Sequence, residues 1–276
     1  MITNTENSSA TIGDEFTVGG LTYKITSDQE VEILGSTIEY TSNILIIPST
    51  VVYDSVEYYI TSIGDNAFLD CTRFTGPLTI GDGITIGNLA FSGCTGFTGS
   101  LEIGDNVYLG VGVFYNCTGF TSLTIGDGTT IGDGALSDCI GLTALAIGDG
   151  ITIGNEAFSG CTGLTGPLTI GDGITIGNLA FSGCTGFTGS LEIGDNVIIL
   201  SAAFSGCTGF TSLTIGDGTT VGNGAFSNCS GSGPLTIGDN VAILSAFYNC
   251  TGFTSLTIGD GTTVGNGAFS NLSGFT

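Results

Sequence analysis

One spacing constrains this chain more than any other feature. Nine cysteines, Cys71, Cys94, Cys117, Cys139, Cys161, Cys184, Cys207, Cys229 and Cys250, follow one another at intervals of 23, 23, 22, 22, 23, 23, 22 and 21 residues. A fixed period between about 20 and 29 residues is the signature of a stacked solenoid, in which each turn touches only its neighbours and none can bury its apolar face alone. The spacing predicts a β-rich repeat solenoid over residues 61–276, with about ten coils of 21–23 residues.

Residues 168–190 read LTIGDGITIGNLAFSGCTGFTGS. Leu168-Thr169-Ile170 alternates apolar and polar, the period of a half-buried strand. Gly171-Asp172-Gly173 is turn chemistry, because Asp tolerates positive φ and Gly supplies it freely. Ile174-Thr175-Ile176 alternates again and predicts a second short strand. Gly177-Asn178 turns the chain, Ala180-Phe181 enters the core, and Ser182-Gly183-Cys184 makes a compact turn before Thr185-Gly186-Phe187. Each coil thus has two strand sides joined by three glycine-rich corners.

Stacking turns the apolar positions into columns. First-strand pairs include Leu78/Ile80, Leu123/Ile125 and Leu213/Ile215. One aromatic column runs Phe68, Phe91, Phe114, Phe158, Phe181, Phe204, Phe226, Phe247 and Phe269, with Leu136 as its one replacement. A second runs Phe74, Phe97, Phe120, Leu142, Leu164, Phe187, Phe210, Phe253 and Phe275. Placement in register reads as core packing rather than as a stripe for ligand stacking. Residues 75–107 and 165–197 are identical over 33 positions, a displacement of 90 residues. Identical coils offer identical surfaces, which argues against a unique active site within the array. The coil ending at Cys250 is one residue short before Ala246-Phe247, and a tightened corner is expected there.

Charge removes several partners. The formal net charge is −23, and Lys24 and Arg73 are the only basic residues. From Phe74 onward there are fourteen carboxylates and no cation. Nucleic acid is excluded because phosphate neutralisation needs Lys and Arg, and an anionic membrane surface would repel the chain. No apolar run approaches the ~20 residues that cross a bilayer. The first residues lack the basic and apolar regions of a signal peptide. With no histidine in the chain, triads and most general-base schemes have no base, so no enzyme is expected.

The repeat text L-x-I, a turn, a second strand ending in I-G, then N/D-x-A-F-x-x-C-x-x-[FL], resembles the leucine-rich repeats of BspA type. Gly64-Asp65-Asn66-Ala67-Phe68-Leu69-Asp70-Cys71 fits that pattern closely. Gly20-Leu21-Thr22-Tyr23-Lys24-Ile25-Thr26-Ser27, Ile47-Pro48-Ser49-Thr50-Val51 and Ile60-Thr61-Ser62-Ile63-Gly64 resemble the segment that precedes the repeats in such proteins. The likeness covers about residues 14–276. It differs in writing I-G, as at Ile80-Gly81, where the family often has I-P. The resemblance implies a leucine-rich-repeat solenoid that acts in surface adhesion or host-protein binding, and hence an extracellular or surface-associated location.

Asp82, Asp105, Asp127, Asp149, Asp172, Asp195, Asp217, Asp239 and Asp260 form a column at one corner. At the inter-strand spacing of about 4.7–4.9 Å, each neighbouring like-charge pair costs about 0.8 kcal/mol in water and roughly 3 at an effective dielectric of 20. Two readings stand: turn chemistry, or a column that binds Ca²⁺ between adjacent coils, since carboxylate and carbonyl oxygens suit that ion. The cysteines stack parallel rather than facing, at a separation too long for disulfides, and are expected as buried free thiols. Zinc is not expected without histidine or a C-x-x-C pair.

The ends are expected to differ. Residues 1–13 read as a flexible polar tail, and residues 14–60, with five of the eight tyrosines, as an N-terminal β cap or a tyrosine binding patch. No cap is visible at the C-terminal end, where Leu272 stands in the cysteine column and the core columns finish at Phe269 and Phe275. An open coil invites pairing, so association with another protein or a second copy is expected through that end. Three functions fit: a non-enzymatic protein-binding or adhesion module, a structural subunit of a filament or particle, and an ice-binding solenoid using outward Thr columns.

Overall fold

The computed structural model describes residues 10–37 and 42–274, and every regular element among them is a β-strand. The alternation read in residues 168–190 appears as Leu168–Ile170, with Leu168 and Ile170 buried and Thr169 exposed, followed by the short strand Thr175–Ile176. The third side of most coils is a run of turns. It is stitched to the next coil through the main chain, as where Phe181 N–H donates to the Ala203 carbonyl at 2.7 Å.

The second strands form one unbroken parallel ladder of nine, from Thr85–Ile86 to Thr263–Val264. The cap strand Val56–Ile63 fills the same place before them, with Ser62 paired to Thr85. Glu15–Val18, Leu21–Ser27 and Glu30–Ser36 make an antiparallel meander whose last strand runs parallel to Val56–Ile63, and Thr50–Tyr53 pairs antiparallel with that same strand. The expected boundary between residues 60 and 61 therefore falls inside a strand that cap and solenoid share.

The cap works by covering the first coil's apolar end. Tyr23 and Tyr58 are buried in it, and Tyr53 stacks on Phe16 at 4.0 Å. Tyr59 is the exposed tyrosine of the four described, and Tyr40 lies outside the described residues. The tyrosines thus serve mostly as core. Residues 10–13 of the expected tail are tied to the cap: Gly13 N–H donates to the Ile25 carbonyl at 2.8 Å and Thr11 N–H to the Asp14 carboxylate at 2.8 Å. Residues 1–9 of that tail lie outside the described residues. Arg73 joins cap to solenoid by bonding Ser36 Oγ at 2.7 Å and the Thr37 carbonyl at 3.0 Å, its guanidinium 4.8 Å from the Phe74 ring centroid.

The aromatic columns stack ring on ring wherever phenylalanine recurs in adjacent coils, with Leu136 interrupting the first and Leu142 and Leu164 the second. Phe158–Phe181 and Phe181–Phe204 have centroids 4.9 and 5.0 Å apart with planes within 7° and 1°. The second column stacks likewise, as in Phe97–Phe120 at 5.2 Å, and meets the first edge-on at Phe91–Phe97. Each coil enters its third side through a left-handed residue, which is Leu89 (φ +56°), Glu156 (+55°), Leu179 (+58°) and Ala202 (+56°) where glycine or asparagine is absent. In the shortened coil that residue is missing. Ala246 N–H donates to Leu244, two residues back, where Ala225 N–H donates to Gly222, three back. The corner tightens and nothing else is added.

The first strands depart from a single ladder. Leu78–Ile80, Gly99–Ile103, Phe120–Ile125 and Ala144–Ile147 form one sheet, and five strands from Leu168–Ile170 to Ser255–Ile258 form another.

Candidate binding surface

The Asp column has a hydrogen-bond role that the sequence does not display. The N–H of Asp105 donates to Oδ1 of Asp82, and the pattern repeats through Asp127, Asp149, Asp195, Asp217, Asp239 and Asp260, each donating to the aspartate one coil earlier at 2.7–2.9 Å. One carboxylate oxygen of each of Asp82, Asp105, Asp127, Asp172, Asp195, Asp217 and Asp239 thus accepts a main-chain donor, which offsets part of the column's self-repulsion. A second ladder follows the same rule at the next corner. Asn88 N–H donates to Asp65 Oδ1, Asn155 N–H to Asp133 Oδ1, Asn178 N–H to Asn155 Oδ1 and Ser201 N–H to Asn178 Oδ1, at 2.6–3.0 Å. Among the described residues no three His, Cys, Asp or Glu side chains converge into a group that could hold a metal ion.

All nine cysteines are free. From Cys94 onward each thiol donates to the carbonyl of the preceding coil's aromatic-column residue, Phe68, Phe91, Phe114, Leu136, Phe158, Phe181, Phe204 and Phe226 in turn, at 2.9–3.2 Å. Burial pushes the thiols of Cys117, Cys161 and Cys207 up to about 12. A thiol held protonated is a poor nucleophile and a poor metal ligand, so these three are structural, whereas at the end of the column the hydrogen bond from Cys229 pushes Cys250 down.

What remains for recognition is the outside of the strands. On the second-strand side, Ser62, Thr85, Tyr108, Thr130, Thr152, Thr175, Ile198, Thr220, Ala242 and Thr263 stand in register, one per coil. None is charged. Tyr108 and Ile198 are 51% and 45% exposed. On the first-strand side the column is Thr79, Glu102, Thr124 and Ala146, then Thr169, Glu192, Thr214, Thr236 and Thr257. Glu102 and Glu192 accept from Ser100 and Ser190 at 3.3 and 3.1 Å. The cap carries a shallow apolar cleft of about 340 Å³ between Val18, Leu21, Ile46, Pro48 and Val52. Among the described residues its one titratable lining residue is Tyr23. At the other end, Ile258 and Val264 are 41% and 49% exposed although their counterparts Ile237 and Ile243 are buried, and Phe269 and Leu272 are half-buried. Phe275 lies outside the described residues.

The sequence profile described as BspA type Leucine rich repeat region (6 copies) matches residues 49–165 and 165–276. Among solved structures, a leucine rich cell surface protein from Faecalibacterium prausnitzii A2-165 is similar at 18% identity and a TM-score of 0.50, over 89% of this chain and 94% of that one. A leucine-rich repeat protein from Bacteroides ovatus is similar at 19% identity and a TM-score of 0.44, over 93% and 92%. The T. pallidum leucine rich repeat protein is similar at 17% and 0.44, over 78% and 89%. No curated protein sequence matches the chain. At these identities the structural likeness bears on the fold alone.

Proposed function

Because this chain belongs to the BspA-type leucine-rich repeat family, we propose that it is a non-catalytic protein-binding or adhesion module of a cell surface. The observation that carries this reading is the unbroken second-strand face. It is an extended, uncharged strip on a chain of net charge −23, studded by the exposed side chains of Tyr108 and Ile198. Large amphipathic or apolar side chains on a rigid frame are what a partner's pockets take hold of. The cell-surface description of the Faecalibacterium neighbour supports the location. In the test, the purified chain is passed over immobilised extracellular proteins, and the binders are retested with a Tyr108→Thr, Ile198→Thr double variant that restores the plain hydroxyl column. The reading expects a binder whose affinity falls at least tenfold in the variant. Unchanged affinity places the contact elsewhere.

A second reading, a structural subunit, is favoured by the last described coil. Its exposed Ile258 and Val264 and half-buried Phe269 and Leu272 want a cover. A second copy or a further stretch of chain supplies it, and concentration-dependent sedimentation separates the two. Ice binding has the least support, because Tyr108, Ile198 and Ala242 interrupt the Thr array on the unbroken face.

A further inference from the structure

Four hydrogen bonds recur wherever one coil meets the next along the Asp corner. The first closes the first strand, as where Gly148 N–H donates to the Ile125 carbonyl at 2.9 Å. The second is the aspartate pair, as in Asp149 N–H to Asp127 Oδ1 at 2.8 Å. In the third, the left-handed residue donates forward, as in Gly128 N–H to the Asp149 carbonyl at 2.9 Å. The fourth opens the second strand, as in Thr152 N–H to the Thr129 carbonyl at 3.2 Å. All four occur at every step from Asp82 to Asp260 except the step from Asp149 to Asp172. There Gly171, Asp172, Gly150 and Thr175 make none of them. The ladder resumes at once beyond, where Gly177 N–H donates to the Ile153 carbonyl at 2.8 Å.

The gap is visible in the packing too. A Cβ placed on Gly148 or Gly194 would stand 2.8 Å from the backbone of the coil before. One placed on Gly171 meets Asp149 Oδ1 at 2.9 Å and its own coil's Ile174 Cδ1 at 3.7 Å, and no backbone of the coil before within 4 Å. Leu145 and Ile147, at the lip of the gap, are half-buried, whereas Leu123 and Ile125 are 1% and 2% exposed.

The sequence contains the cause. Leu123 and Leu145 follow Cys117 and Cys139 by six residues, but Leu168 follows Cys161 by seven. Nowhere else in the array is a six-residue approach followed by a seven-residue one. The reverse change, from Leu101 to Leu123 and from Leu191 to Leu213, is accommodated with the strands paired. At the lengthened step the residue before Leu168 is Pro167, which has no N–H to offer the preceding strand. The same place is where the 33-residue text of residues 75–107 begins again, at residue 165.

We propose that the step between Ile147 and Ile170 is a hinge. Two stiff arms, residues 61–164 and 165–274, flex about the second-strand pairing that resumes at Gly177 and the third-side turns, and the first-strand side opens and closes. Flexing there changes the curvature of the outward face. The hinge does not depend on what that face binds.

Hydrogen exchange on the intact chain, read by mass spectrometry, tests it. The peptides covering residues 143–153 and 121–131 have different sequences and so are separable. After correction for intrinsic rates, amides of 143–153 are expected to exchange at least tenfold faster, since Leu145, Ile147 and Gly150 face the gap. Deleting Gly166 together with Pro167→Ser restores the six-residue approach, and exchange in 143–153 is then expected to slow to the rate of 121–131. Equal exchange of the two peptides in the unaltered chain overturns the hinge, and that comparison decides alone if the variant does not fold. A folded variant in which 143–153 still exchanges fast also overturns it.

Discussion

Replacing Phe181 by Ala probes the stacked core where it is most tightly held. The ring is fully buried between Phe158 and Phe204, with centroids 4.9 and 5.0 Å away. Loss of a buried Phe side chain, with the cavity it leaves, costs about 3–5 kcal/mol. Each aromatic pair contributes about 0.5–1.5 kcal/mol beyond its buried area, and two pairs are lost here. Collapse cannot recover much, because the main chain is pinned on both sides by Phe158 N–H to the Ala180 carbonyl and Phe181 N–H to the Ala203 carbonyl, each 2.7 Å. The upper part of the range, about 4–5 kcal/mol, is therefore expected. Phe269 is the control, since its ring is half-buried and, among the described residues, stacks on Phe247 alone, at 5.3 Å. Phe269→Ala is expected to cost about half as much or less. Urea unfolding followed by circular dichroism gives both values, with the slope checked for constancy so that midpoints report stability. Equal losses in the two variants would refute the column argument, because position in the stack would then carry no weight.

The thiols make the fold alkali-sensitive. Cys117, Cys161 and Cys207 are raised by burial from 9.0 to about 12, so the unfolded chain loses these protons near pH 9 while the folded chain keeps them. Their contribution is intact below pH 9 and is lost as pH rises toward 12, at about 1.4 kcal/mol per thiol per pH unit; a melting temperature that stays flat from pH 8 to 10.5 contradicts this. Ala202→Gly is expected to stabilise by up to about 1 kcal/mol, because a residue with a Cβ is strained at φ +56° and only a methyl is lost; a lower unfolding midpoint would count against it. With one carboxylate oxygen of most aspartates in the column engaged by a main-chain N–H, Ca²⁺ and Na⁺ salts at matched ionic strength are expected to raise the melting temperature equally, by screening, and a larger rise with Ca²⁺ would revive the cation column.

The columns were legible because repetition multiplies a weak signal. One L-T-I segment says little, but Leu78, Leu101 and Leu123 at the same place in successive coils fix strand, face and register together. The role of the aspartates was only half legible. Turn chemistry explains Asp82 within its own coil, but its hydrogen-bond donor is the N–H of Asp105, 23 residues away. A partner in the main chain leaves no mark on the sequence. The break at Pro167 was written in the text as a seven-residue approach after a six-residue one, yet an argument built on the average period passes over it. The cap boundary shifted because Val56–Ile63 serves the cap at one end and the first coil at the other. The proposed binding face was least legible of all. Near-identical coils carry near-identical outer side chains, so the sequence distinguishes positions on that face only at departures such as Tyr108 and Ile198.

The aspartate ladder also gives the molecule a sense of direction. Every one of its bonds runs from the amide of a later coil to the carboxylate of an earlier one. During synthesis the earlier coil leaves the ribosome first, so each arriving coil meets an acceptor already in place. Assembly in that order resembles copying onto a template, with each finished layer serving as the mould for the next. The third-side amides run the other way, as where Phe181 N–H donates to the Ala203 carbonyl, so this sense of direction belongs to the aspartate ladder.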